Sequence, residues 1–281
     1  MVIKPNFLGI GAPKCGTTWA YEVLRRHPQI FVAHGKELVY FSSEKKYNLG
    51  ENWYLSHFKD AKNSKAIGEI SVSYFTHKNA TERIFEFDPN IKMILFVRDP
   101  VKRAFSHYRW LLQMGKSLPS FIDAIDKVPG IKEDSMYYMN LSRILSYFDK
   151  RQILILKYDD ITDNPTGLQY LLFKFLDVDT QYCYQVGRVG ATINPRFKKI
   201  EKLRVYLHTQ ARIRGVPQVI TFVKRFGISN FYRKLNNSAK NSLSLSQTEW
   251  KTAFAFFEDD LLNFQQLIGI DVSDWINGKK G

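Results

Sequence analysis

Cysteine is the scarcest chemistry in this chain: Cys15 and Cys183 are the only two among 281 residues. Two cannot build a disulfide framework, so the fold must rest on its core, and free thiols in a reducing compartment are expected. No apolar run reaches the roughly 18 residues of a membrane-crossing helix. The first apolar strand begins already at Phe7, which leaves no room for a signal peptide and, with the free thiols, predicts a cytoplasmic protein. Histidine and cysteine nowhere gather at metal-ligand spacing, so no metal is expected. Internal repeats and low-complexity linkers are lacking as well.

Acid is also in short supply, with 27 Asp and Glu against 41 Lys and Arg, a formal charge of +14. An excess of that size favours acidic partners: nucleotide phosphates, acidic glycans, nucleic acid or a membrane surface. Much of it sits between Arg196 and Lys234, where Glu201 is the lone acid. Such clustering argues for a basic face with a task over charges scattered for solubility. No zinc-finger spacing or aromatic ribonucleoprotein motif points to specific nucleic-acid binding.

What the chain does have is apolar substance, 44% with 15% aromatic, enough for a substantial core at this length. Apolar runs at Phe7–Ile10, Ile30–Val32, Ala66–Ser71, Ile91–Val97 and Gln152–Leu156 read as strands. Helical spacing is expected over 17–27, 53–58, 79–87, 101–113, 120–128, 139–149 and 166–176, the last behind the start signal Asn164-Pro165. The run Ile91–Val97 is apolar on both faces, as in a buried parallel strand. This alternation predicts an α/β fold with a central, mostly parallel sheet. From about residue 180 the texture changes. Residues 181–197 read as a loop, 198–240 as basic and helical with breaks at Gly215-Val216-Pro217 and Gly227, and 246–268 as one final helix opened by Ser246 and Glu249. One domain over 1–281 is the simplest description: an α/β core over 1–180 and a basic, mainly helical part over 181–281.

The most informative stretch is Phe7–Trp19, FLGIGAPKCGTTW. A strand, a Gly-rich turn and a helix N-terminus make an anion site, because the first N–H groups of the helix lack backbone acceptors and the helix dipole adds positive potential. The spacing of Gly11 and Gly16 is that of a nucleotide P-loop, G-x-x-x-x-G-K-[ST]. Thr17 stands where that motif needs lysine, however, and Lys14 is the loop's only lysine. A phosphate-like group is expected here, held otherwise than in an ATPase.

A second stretch, Arg98–Tyr108 (RDPVKRAFSHY), follows the strongest strand. Ligands of open α/β sheets bind beyond the carboxyl ends of strands, so Arg98 and, two helical turns on, Ser106 are placed for a second phosphate. Asp99 can cap the helix that follows. Two anion points imply one ligand with charge at both ends.

PKCGTTW followed by RDPxxRxxSxY resembles the sulfotransferase family, which uses 3′-phosphoadenosine 5′-phosphosulfate (PAPS). The resemblance implies a P-loop-type three-layer α/β fold, PAPS as donor and the bisphosphate PAP as product. It sets Lys14, Cys15, Gly16, Thr17, Thr18 and Trp19 at the 5′-phosphosulfate, with Lys14 catalytic, and Arg98 and Ser106 at the 3′-phosphate. The Cys15 thiol has no chemical role in this reading. His34–Phe41 (HGKELVYF) resembles the K-E-x-x-[FY]-F segment of glycan-modifying and bacterial members, which implies Glu37 as the base that deprotonates the acceptor, with Lys36 keeping it ionised. His34 and His107 stand as rival bases by chemistry. Gly68–Phe75 resembles a GE-x-S-P-x-YF segment, with Val72 in place of the proline. Asn194-Pro195-Arg196 is similar to a loop that closes over the nucleotide, which makes Arg196 a candidate contact, and Leu261–Trp275 is similar to the family's ending.

These residues imply sulfuryl transfer to an acceptor hydroxyl or amine, an acidic glycan being one candidate that the 196–234 face could recruit. Trp110, Tyr137 and Tyr138 are candidates to stack on a sugar. Two other readings stay open at this point: a P-loop kinase or NTPase, with Asp99 as the only contender for a magnesium ligand, and a non-catalytic binder of anionic glycan or nucleic acid.

Overall fold

The computed structural model describes residues 3–187, 243–276 and 278. Five strands form one sheet: β1 (Phe7–Gly11), β2 (Ile30–Val32), β3 (Ala66–Ile70), β4 (Lys92–Val97) and β5 (Ile153–Lys157). Their spatial order is β2-β3-β1-β4-β5, and every pairing is parallel. β1 and β4 are buried along almost their whole length, which is why they read as unbroken apolar runs.

The helices are α1 (Thr17–Leu24), α2 (Glu44–Tyr47), α3 (Glu51–Leu55), α4 (Ala80–Phe87), α5 (Pro100–Gln113), α6 (Phe121–Lys127), α7 (Tyr137–Leu145), α8 (Asp160–Asp163), α9 (Pro165–Phe175), α10 (Gln247–Phe254), α11 (Glu258–Ile268) and α12 (Ser273–Ile276). The chain leaves β1 toward the β2 edge and later crosses back over β1 to β4. Right-handed crossovers therefore put α1 on one face and α4 to α7 on the other. Side-chain contacts agree. His27, just past α1, packs on Phe173 of α9 with ring centroids 4.6 Å apart, whereas Arg143 of α7 reaches Thr81 of α4 at 3.5 Å. The result is three layers around a core that holds Phe7, Leu8, Trp19, Leu95, Phe96, Tyr137 and Phe264.

Three helices depart from the sequence pattern: the one expected over 139–149 runs Tyr137–Leu145, and two others differ as follows. The first helix stops at Leu24 instead of residue 27, where short i→i−3 bonds from Arg26 and His27 end it. The single helix expected over 246–268 is two. Phe256 and Phe257 donate to carbonyls three residues back (3.2 and 2.8 Å) and close α10 with a tight turn, which lets Phe254, Phe257, Leu261 and Phe264 all reach the core. The start of α10 is as read: Ser246 and Glu249 form a reciprocal capping box. The expected basic helices over 198–240, and Arg196 with them, lie outside the described residues.

The topology fixes where a ligand can go. Connections from β1 and β4 run in opposite directions across the sheet, and a crevice opens between such strands at their carboxyl ends. The loops that meet there are 12–16 after β1, 71–75 after β3, 98–99 after β4 and 158–159 after β5.

Candidate active site

A cavity of about 890 Å³ occupies that crevice, and its wall includes Lys14, Gly16, Thr17, Thr18, Lys36, Glu37, Arg98 and Ser106. Lys14, Glu37 and the two stretches read as anion points thus meet in one space.

The loop from β1 is built for this. Gly16, with φ at 90°, precedes the first residue of α1, and a Cβ there would lie 2.2 Å from Ile161 Cδ1. Only glycine tolerates both the conformation and the approach. Lys14 also has positive φ, 69°, which turns its side chain into the cavity. Its ammonium lies 5.8 Å from the Trp110 ring centroid, and burial together with Arg98, Arg103 and Arg109 lowers its pKa to about 8. A lysine so placed gains much from an arriving anion, which would restore its proton affinity.

Within the motif set at the 5′-phosphosulfate, Cys15 and Trp19 do not turn their side chains to the cavity. Both side chains turn into the core. The Cys15 sulfur sits 3.8 Å from the Tyr137 hydroxyl, and burial raises its pKa to about 11, so it is an unreactive packing thiol.

On the opposite wall the Arg98 guanidinium lies over the Tyr158 ring at 4.2 Å. Its Nη1 reaches the Lys14 carbonyl at 3.5 Å, and its buried Nε finds no acceptor among the described residues. Tyr137 Oη donates to the Arg98 carbonyl at 2.7 Å and fixes its backbone. Tyr137 is therefore a core residue and not a sugar platform. The Asp99 carboxylate caps α5 by accepting from Val101 (2.9 Å) and Lys102 (3.0 Å) and receives the Trp250 indole N–H at 3.4 Å. Capping and ligand-facing roles are thus divided between adjacent residues, and Asp99 is committed to the cap. Arg103, between Arg98 and Ser106 in sequence, points away. It is fully buried and donates to Ser135 Oγ and to the carbonyls of Gly130 and Ile131.

The third wall is the segment 35–39. Glu37 has φ at 67°, and its N–H donates to the Ile70 carbonyl at 3.0 Å. Its Oε2 accepts from the Val72 N–H at 3.0 Å, while Oε1 lies 3.8 Å from Lys36 Nζ. Lys36 in turn donates to Thr17 Oγ1 (3.0 Å) and Thr18 Oγ1 (3.3 Å), and burial lowers its pKa. Base candidate and anion loop are therefore linked through one lysine. Behind this wall lies Glu69, fully enclosed, accepting from Ser71 (2.7 Å) and Tyr74 (2.5 Å). Burial pushes its pKa to about 7.

Of the rival bases, His34 is exposed and edge-on to Phe31, outside the wall residues of the cavity. His107 is in the wall, but its Nδ1–H donates to the Gly130 carbonyl at 2.9 Å and burial lowers its pKa to about 4.

The cavity also has walls that the sequence did not single out: Lys102, Arg109, Tyr158 and Leu243–Leu245. Lys102 and Arg109 share a helical face with Ser106, at spacings of four and three, so that signal was available. Tyr158 follows β5 at a strand end, where the topology rule applies. Nothing in the sequence ties Leu243–Leu245 to residues so far away.

A parallel sheet with two cationic loops at its switch point offers charge that complements an elongated anion. Comparison with known proteins says which class. The sulfotransferase domain model matches residues 4–208, and the chain belongs to that family. The membrane-associated sulfotransferase kil1 of Dictyostelium discoideum is 41% identical over 116 residues, covering 40% of this chain and 24% of that protein. Heparan sulfate glucosamine 3-O-sulfotransferase 6 of Homo sapiens is 30% identical over 171 residues, covering 58% of this chain and 49% of that protein. The chain thus spans at most about half the length of these two relatives. In architecture, a sulfotransferase from Alicyclobacillus acidocaldarius matches with a TM-score of 0.69 at 21% identity, over 98% of this chain and 99% of that one. No helix among the described residues is long and apolar enough to cross a membrane.

Proposed function

We propose that this protein transfers a sulfuryl group from PAPS to a hydroxyl or amine of a glycan acceptor, with Lys14 and Glu37 as the catalytic residues. The observation that carries the reading is the convergence of Lys14, Thr17, Thr18, Glu37, Arg98 and Ser106 on one cavity. The residues fit a two-anion nucleotide. Lys14, the N–H groups of Gly16, Thr17 and Thr18 and the two threonine hydroxyls would hold the 5′-phosphosulfate, and Arg98, whose buried Nε lacks an acceptor among the described residues, would hold the 3′-phosphate with Ser106. PAPS supplies the activated sulfuryl group, and PAP is the product.

In this reading Lys14 meets the charge that grows on the leaving oxygen, a role in which a single aimed donor is worth roughly 3–4 kcal/mol. Glu37 takes the acceptor proton. Its carboxylate lines the cavity beside the lysine that binds Thr17 and Thr18, whereas the His107 ring is tied through Nδ1 to the Gly130 carbonyl and His34 is turned outward. Charge on the transferring group is met by Lys14 and the loop N–H groups, so the chemistry asks for no metal ion, as in transfer reactions dominated by positioning and electrostatics. A glycan acceptor accords with the activity named in the human relative, and Trp110, partly exposed in the cavity wall, is a surface for a sugar face. Arg196 belongs to the donor site on the motif resemblance alone. The free thiols Cys15 and Cys183 accord with a reducing compartment, taken as the cytoplasm.

The test is an acceptor screen with sulfur-labelled PAPS over heparan-type polysaccharides, neutral oligosaccharides and small phenols, run beside ATP with magnesium. Label transfer to an acceptor, with tight binding of PAP, is expected. ATP turnover without use of PAPS would overturn the reading.

A further inference from the structure

Position 72 is where the sequence parts from the segment it resembles, and the structure shows a consequence at the site. The Val72 N–H donates to Glu37 Oε2 at 3.0 Å. A proline in that place has no N–H to give.

The amide is fixed by its neighbours. Ser71 N–H donates to the Gly9 carbonyl (2.9 Å) and Phe75 N–H to the Ile10 carbonyl (3.0 Å), so both sides of Val72 are fastened to β1, the strand that feeds the anion loop. The segment carrying Glu37 is fastened to the same place, since Glu37 N–H donates to the Ile70 carbonyl (3.0 Å) and Val39 N–H to Ser71 Oγ (2.9 Å). Backbone bonds set where Glu37 begins, and the Val72 amide sets where its carboxylate ends. A carboxylate on a flexible stem samples several rotamers, and a charge-assisted bond to a fixed amide selects one. Oε2 is then anchored, and Oε1 lies 3.8 Å from Lys36 Nζ.

We infer that the backbone amide of Val72 is a positioning group for the base, holding Glu37 at a set distance from the loop of Lys14, Thr17 and Thr18. The inference rests on Glu37 being the base. In the transfer itself, the acceptor oxygen forms a bond to sulfur, and the bond from sulfur to the bridging oxygen breaks. The electron pair of that broken bond leaves with PAP, and the acceptor proton passes to Glu37. Only the last event depends on Val72.

The site permits a clean test. Ser71 is already extended, φ −131° and ψ 105°, and Val72 opens a 3-10 turn, Val72–Tyr74, so proline at 72 meets the backbone demands on itself and on the residue before it. In V72P, kcat for transfer from PAPS is expected to fall about tenfold or more, the worth of one charge-assisted bond, while Kd for PAP stays within about threefold. V72A, which keeps the N–H, should stay within about threefold in kcat. In an E37Q background V72P should cost nothing further. Wild-type kcat in V72P, equal losses in V72A and V72P, or an undiminished V72P effect in E37Q would each overturn the inference. Should V72P fail to bind PAP, an amide-to-ester exchange at 72, which replaces only the N–H, carries the same comparison. Full turnover by E37Q would instead remove Glu37 as the base, and a wild-type protein that neither binds PAP nor releases it from PAPS would remove the donor reading. Either result takes this inference with it and is distinguishable from a failure at Val72 alone.

Discussion

The anion loop and the base segment solve the same problem by opposite means. Each presents its key side chain from a non-glycine residue in the left-handed region, Lys14 at φ 69° and Glu37 at φ 67°, at a cost of about 1–2 kcal/mol apiece. The loop takes its shape from what is near it in sequence, Gly16 at the turn, the start of α1 at Thr17 and the i→i−3 bond from Cys15 N–H to the Ala12 carbonyl, and is tied to β4 by the Ala12 N–H on the Phe96 carbonyl at 2.8 Å. The base segment has no such local frame. Its fastenings come from Ile70, Ser71 and Val72 at the end of β3, and its ammonium, Lys36, reaches across to the hydroxyls of Thr17 and Thr18. Local geometry makes the loop a motif, and tertiary contacts set where the carboxylate of the proposed base lies.

That contrast can be broken from either side. Lys14→Ala should do most damage, lowering kcat/KM for transfer by about 1,000-fold or more, because it removes the group aimed at the developing charge. Steady-state rates with labelled PAPS measure it, and a loss under tenfold would mean that the loop N–H groups suffice. Glu37→Gln comes next. Turnover should drop about 100-fold or more with PAP affinity, read by calorimetry, within about threefold, since the substitution is nearly isosteric and the fastenings through the main chain remain. If PAP binding fell with it, the two regions would be one structural unit and the division above would fail.

The smallest effect is on pH. Lys14 in the free protein titrates at about 8, so it carries its charge below that value and loses it above. PAP affinity should decline as pH rises through 8, by up to about tenfold between pH 7 and 9 if binding needs the charged lysine. Lys14→Arg, always protonated, should flatten the decline. A decline that persists in Lys14→Arg would assign it to another group, with Lys36, also lowered by burial, the first to examine.

Most of the fold was legible because its signals are local. Ile91–Val97 is apolar throughout since β4 is covered on both faces, Asn164-Pro165 opens α9 with Asn164 accepting from Gly167 N–H, and Ser246 with Glu249 closes a capping box. The one-helix reading of 246–268 failed for the converse reason. Its residues have helical propensity throughout, and the turn at Phe256 and Phe257 exists to bring four apolar side chains to the core, a demand set by packing. The inward turn of the Cys15 and Trp19 side chains was not legible either, because a motif gives a residue's place in the chain and leaves open which way its side chain turns.

What the sequence by itself determined is the chemistry on offer: a glycine-rich anion loop with lysine at 14, an arginine and a serine two helical turns apart, a carboxylate beside a lysine, and strands arranged to put the first two at strand ends. These follow from backbone conformation and side-chain type, which are properties of short stretches. The tertiary structure alone decided the distances between them. That Lys36 binds Thr17 and Thr18, that Arg103 is walled into the core while Arg98 faces the cavity, and that the amide of Val72 meets the carboxylate of Glu37 all depend on strands far apart in the chain lying side by side. The strand order β2-β3-β1-β4-β5 sets those contacts, and no short stretch of sequence contains it.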